Sequence, residues 1–103
     1  MLRYRKLTDL TNEEIKFAIN DILHPESIGE IKRDFQWDTI DVDVTTDWGE
    51  TGKEELITDT ITLKYNRLIV PWYDYGNDDY KWRQFLLAKG CNELLKDNPY
   101  LEQ

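Results

Sequence analysis

Asp41 and Asp43 alternate with Ile40, Val42 and Val44, and Asp47 follows in the same phase. On an extended strand, residues two apart project the same way and lie roughly 6.6 Å apart. The two carboxylates are therefore expected in a row on the face opposite the apolar residues, with Asp47 further along. Asp59 is expected to approach that row from a neighbouring strand, with Asp38 and Glu50 on its approaches. Carboxylates at this spacing resemble the charge of a nucleic-acid backbone, so the chemistry on offer is recognition of a basic surface. The plainer reading is a solvated strand face, because acids and threonines keep a sheet soluble and discourage edge pairing. A divalent cation on Asp41 and Asp43 is a third reading. The acids lack the glycine at loop position six and the acid at position twelve that an EF-hand requires, and no metal or other cofactor is expected.

The charge is segregated. Between residues 34 and 59, nine acids face Lys53 alone, a local charge of −8. The other 12 acids and 12 bases cancel, so the chain's net charge of −8 belongs to this stretch. A nucleic-acid binder carries a basic surplus, and direct nucleic-acid binding is not expected. The basic clusters Arg3-Arg5-Lys6 and Lys32-Arg33 are short, and suit a tail contact or an internal counter-charge to the acids.

A second constellation is aromatic. Trp72, Tyr73, Tyr75, Tyr80 and Trp82 are interleaved with Asp74, Asp78 and Asp79. Trp and Tyr join a large apolar area to a polar tip and serve as interface anchors. Most of these rings are expected in the core, with Tyr75 and Trp82 as the exposed pair that would touch a partner. Trp82, Phe85 and Lys89 form a helical stripe away from a Leu87–Cys91–Leu94 face, and the stripe is expected to pack against the first helix.

Catalytic chemistry has little to work with. His24 is the only histidine, with no nucleophile recognisable beside it. Cys91, the only cysteine, falls on an apolar helical face and reads as a core thiol. No Gly-rich phosphate loop, GxSxG elbow or HExxH occurs. A glycosidase would need two carboxylates in a deep cleft, for which 103 residues leave little room. The chain is expected not to be an enzyme.

The elements that must position these groups are legible in outline. Thr11-Asn12-Glu13-Glu14 has the form of a capping box, with Leu10 and Ile15 as its hydrophobic staple. Apolar residues recur at helical spacing from Ile15 to Leu23, and Pro25 disfavours helix at His24, so a helix is expected over 12–23. Residues 25–37 show no clear pattern. A strand through residues 40–45, a second within 56–65 and a third over 68–70 form an antiparallel meander, with loops at 48–53 and 66–67. A long C-terminal helix is expected over 79–96. The fold class is α+β: one domain over 1–103, two-layered, with helices on one face of a three-stranded sheet.

One cysteine excludes an internal disulfide and the multi-cysteine zinc patterns. No apolar run approaches about 18 residues, and no apolar core follows the basic start, so no membrane contact and a cytoplasmic setting are expected. The function expected is that of a small acidic binding protein. It would inhibit a basic, nucleic-acid-handling enzyme by occluding it, with Asp38, Asp41, Asp43, Asp47, Glu50 and Asp59 for orientation and Tyr75 and Trp82 as anchors. Small phage-encoded inhibitors of nucleases share this size and charge, a likeness of type without shared motifs. The alternative is an assembly module of a homo-oligomer or phage particle, self-associating through the 68–73 strand edge and the Trp82–Phe85 stripe.

Overall fold

A capping box starts the first helix. In the computed structural model, which describes residues 5–71 and 76–91 (76–78 by their backbone alone), Glu14 N donates to Thr11 Oγ1 at 3.1 Å. The Glu14 carboxylate in turn accepts from Thr11 N at 2.9 Å. Helix α1 runs Asn12–Leu23, as expected, and buries Ile15, Ala18, Ile19 and Ile22. It ends at His24, which turns left-handed (φ 51°) ahead of Pro25 while its N–H still reaches Asn20 O.

The sheet has four antiparallel strands in sequence order, β1 Ser27–Asp34, β2 Thr39–Asp47, β3 Leu56–Leu63 and β4 Leu68–Ile69. The expected meander of three strands is thus corrected to four, with β1 arising in the stretch that showed no pattern. The cause is a β-bulge between Ile28 and Ile31, which pair with Val44 and Val42. The bulge inserts an extra residue, so two isoleucines three apart both face the core and period-two alternation is lost.

The long C-terminal helix is also corrected. Helix α2 covers Gly76–Ala88. Its end is a Schellman motif: Gly90 takes φ 82°, its N–H donates to Leu87 O, and Cys91 N–H reaches back to Leu86 O at 2.9 Å. Cys91 therefore follows the helix instead of lying within it, and Leu94 lies outside the described residues. The buried face is displaced too. Trp82 and Leu86 are fully buried while Tyr80 is exposed. Trp82 stacks on Phe85 at 5.7 Å, and Phe85 on Phe17 of α1 at 6.4 Å, so the stripe does meet the first helix.

Both helices lie on one sheet face, over a core built from Leu7, Leu10, Ile15, Ile19, Ile40, Val42, Val44, Ile61, Leu63, Trp82 and Leu86. Around its edge, Arg5 ties the segment before α1 to α1 and to the end of α2. Its guanidinium donates to both Glu14 oxygens, at 2.7 and 2.9 Å, and its backbone N–H donates to Gly90 O. Arg33 donates to the carbonyls of Thr8 and Leu10. These arginines thus hold the N-terminal segment, and not the acidic hairpin. Among the described residues no helix is long and apolar enough to cross a membrane.

Replacing Trp82 by Ala should cost about 3–5 kcal/mol through lost burial and the cavity left behind, read as a lowered urea midpoint. A second expectation concerns acid. The Arg5 hydrogen bond, then the Thr11 N–H, hold the Glu14 carboxyl at about 2 instead of 4.5. A depressed native pKa stabilises the fold at neutral pH. That contribution is lost as pH falls from 4.5 toward about 2. Glu14→Gln should therefore lower stability at pH 7 and reduce its decline over that window, as measured by thermal melts at stepped pH.

Candidate functional site: the outer sheet face and its two ends

Register decides which acids share a face. β2 and β3 pair Asp41 with Thr62, Asp43 with Thr60, Thr45 with Thr58 and Asp47 with Leu56. Directly opposed residues project to the same side, so these four pairs line the face away from the helices. Their exposure agrees: the outer residues are exposed or half-exposed, whereas Ile40, Val42 and Val44 are fully buried. No carboxylate on this face lies directly across from another on β2 and β3. Thr62 Oγ1 donates to Asp41 at 2.7 Å, Thr60 Oγ1 to Asp43 at 2.8 Å, and the Thr45 and Thr58 hydroxyls bond at 2.7 Å. Threonine thus supplies donors where a second acid would repel. On the other side of β2, Lys32 opposes Asp41, and a Cβ on Gly29 would sit 3.4 Å from that of Asp43.

Asp47 closes the row and also shapes the loop beyond it. Its Oδ1 accepts from Gly49 N at 2.8 Å and Glu55 N at 3.0 Å, and these two N–H groups, Glu55 first, hold its carboxyl below the usual range. Gly49 is required here, since a Cβ would come 1.9 Å from Lys53 O. Glu50 sits exposed in this loop. Leu56, opposite Asp47, is 51% exposed on the outer face, whereas Trp48 is 48% exposed with its indole N–H donating to Thr46 Oγ1, which pairs with Ile57 on the helix side of the sheet.

Three expected site residues stand elsewhere. Asp59 opposes Val44 and so projects to the helix side of the sheet, away from Asp41 and Asp43. Asp38 lies in the β1–β2 turn, where it is consumed internally. Its Oδ1 accepts from Thr8 N (2.9 Å) and Thr8 Oγ1 (2.7 Å), and its Oδ2 from Leu7 N (3.3 Å) and the Tyr65 hydroxyl. Burial pushes the Asp38 carboxyl up, but the hydrogen bonds from Tyr65, Thr8 and Leu7 outweigh it and hold the group below its ordinary value. Burial and the Asp38 partner push the Tyr65 phenol up. Trp82, expected as an exposed anchor, is fully buried, and its indole N–H donates to Lys64 O at 2.5 Å. Alternation fails for Asp38 because it sits in a turn, and helical periodicity cannot say which side of α2 meets the sheet. Tyr75 lies outside the described residues.

The most exposed rings among the described residues belong to neither the acidic row nor the aromatic constellation. Phe35 and Trp37 are each 72% exposed in the β1–β2 turn. Asp34 Oδ1 accepts from Gln36 N (3.0 Å) and Trp37 N (3.1 Å), so the turn is held from its start. The sequence signal was present: Asp34 and Asp38 flank Phe35-Gln36-Trp37, and short acidic side chains of this kind bond nearby backbone in turns.

Parts of the surfaces suggested for self-association make contacts within the chain, residues 72–73 of the strand edge lying outside the described residues. Phe85 of the stripe stacks on Phe17, and the β4 edge gives its Leu68 N–H to Asp79 at 3.0 Å. Burial pushes the Cys91 thiol up to about 11, the setting of an inert thiol. Among the described residues no group of three or more His, Cys, Asp or Glu converges on a metal position. No family model, curated protein or solved structure matches the chain.

Asp38→Ala strands donors around a half-buried site and puts alanine at φ 52°. It should cost about 2–3 kcal/mol, while Asp38→Asn, which tolerates that backbone and keeps one acceptor, should cost less. Urea denaturation of the two variants checks the order.

Proposed function

We propose that the protein is a non-enzymatic binding protein that occludes a basic partner, with the outer face of the β2–β3 hairpin as its contact surface. The observation that carries the reading is the row Asp41, Asp43 and Asp47 on a face that no described helix packs against. Each carboxylate is already oriented, by Thr62, by Thr60, or by the backbone of Gly49 and Glu55. From Asp41 to Asp47 the row spans roughly 20 Å at the usual strand rise. Oriented anions at this spacing steer a cationic surface into register and speed its encounter. Glu50 extends the charge into the loop, and Leu56, opposite Asp47 on the same face, supplies apolar contact of the kind expected of Tyr75 and Trp82. A nucleic-acid-handling enzyme is the favoured partner type because its substrate groove already accommodates anions.

The test is a triple variant, Asp41→Asn, Asp43→Asn and Asp47→Asn. Asparagine keeps an acceptor oxygen for each bond, so stability should stay within about 0.5 kcal/mol of the parent. Immobilised parent protein, washed with nucleic-acid-depleted lysate at low salt, should retain a basic protein that elutes as salt rises. The triple variant should lose it. Retention by the variant, or elution that ignores salt, would remove the acidic face from the mechanism.

A further inference from the structure

At the opposite end of the sheet from the acidic loop, the β1–β2 and β3–β4 turns enclose an open cleft of about 530 Å³, lined by Trp37, Asp38, Thr39, Lys64, Tyr65 and Asn66. Its volume is in the range of small-molecule sites. The wall is an indole that is 72% exposed and contributes nothing to the core. Yet the backbone that carries it is fixed on both sides. Asp34 accepts the Trp37 N–H, and the next residue, Asp38, is bound to Leu7, Thr8 and Tyr65. A solvent-facing aromatic ring carried on a fixed backbone leaves only its own side chain to be ordered on binding.

The polar groups of the cleft narrow the ligand. Asp38 has a donor on each of four acceptor positions, and the Tyr65 hydroxyl both donates to Asp38 and accepts from Leu7 N at 2.8 Å. Neither has capacity left for a guest. Among the described residues, the Lys64 ammonium, the Asn66 side-chain amide, the Thr39 hydroxyl and the Trp37 indole N–H carry no such bond. The rim is therefore rich in donors and asks for oxygen acceptors. The charges that line it, Asp38 and Lys64, sum to zero, so neither a phosphate nor a cation finds a net complementary field.

We propose that this cleft binds a neutral sugar, with the C–H face of one pyranose ring lying on the Trp37 indole and its hydroxyl groups bonded by Lys64, Asn66 and Thr39. A pyranose has an apolar face and a rim of hydroxyls, each able to accept and donate, which matches an apolar wall beside uncommitted donors. The site is separate from the acidic face and holds whether or not that face engages a basic partner.

Saturation-transfer NMR with the methyl glycosides of glucose, galactose, mannose and N-acetylglucosamine tests it, with AMP and arginine amide as the anionic and cationic probes. Transfer to the ring protons of at least one glycoside is expected. Trp37→Ala should weaken that binding by about tenfold or more, the scale of a lost aromatic anchor. Asn66→Ala should weaken it as well, and Trp37→Phe, which keeps an aromatic face, should retain part of it. Trp48→Ala and the triple asparagine variant should leave it unchanged, which separates this site from the acidic face. No transfer to any glycoside at concentrations that reveal a millimolar site overturns the proposal. So does binding of AMP or arginine amide in place of the sugars, or sugar binding that survives both Trp37→Ala and Asn66→Ala.

Discussion

A half-buried carboxylate must be paired, and the pairing of Asp38 ties together more of this molecule than any other contact. Its four donors come from Leu7, Thr8 and Tyr65. One ionised side chain thereby joins the 3-10 turn Leu7–Asp9, the β1–β2 turn and the segment leaving β3. Leu7 itself is fully buried, so the backbone that places it has N–H groups with little access to water. Leaving such groups unmet costs more than a made hydrogen bond gains. The Asp38 network meets that cost, and in doing so sets the angle at which Trp37 leaves the sheet.

The same accounting runs through the rest of the fold. Arg33 caps the carbonyls of Thr8 and Leu10, Arg5 reaches Asp9 O and Lys89 O, and the Trp82 indole serves Lys64 O. Each is a charged or aromatic side chain satisfying main-chain groups at an element end. The hydrophobic core decides which faces meet, and these directional bonds decide how the turns are held. Both candidate sites lie at such turns or on the face between them.

The legible parts of the fold were those that local chemistry writes without ambiguity. The Thr11–Glu14 capping box and Pro25 bound α1 correctly, and the alternation through Ile40, Val42 and Val44 located β2. β1 was hidden because its bulge puts Ile28 and Ile31 at a spacing that suits a helix as well as a strand. The early stop of α2 was written in Gly90, but glycine inside an amphipathic pattern is also tolerated as a mere weakness. Of the candidate site, Asp41, Asp43 and Asp47 follow from alternation alone and share the outer face. Asp59 needed the register, Asp38 needed the tertiary contacts of its turn, and Trp82 needed the docking angle of α2. None of these three is a local property of the chain.

The bulge also bears on how this chain tolerates inserted and deleted residues. Removing one residue between Ile28 and Ile31 would leave the two isoleucines two apart, both still facing the core opposite Val44 and Val42, and the strand would lose only the bend and added twist of its bulge. Removing one between Ile31 and Asp34, where the pairing is regular, would instead turn over every residue on one side of the gap. The same one-residue gap is thus mild at the bulge and a reversal of inside and outside beyond it. In contrast, the loop at 48–55 joins two strands beyond the core and could lengthen past its Asp47 clamp without reversing either. Lineages descending from such a sequence would vary freely in hairpin length and could shed the bulge residue, while keeping the count of the regular stretch Ile31–Asp34 constant.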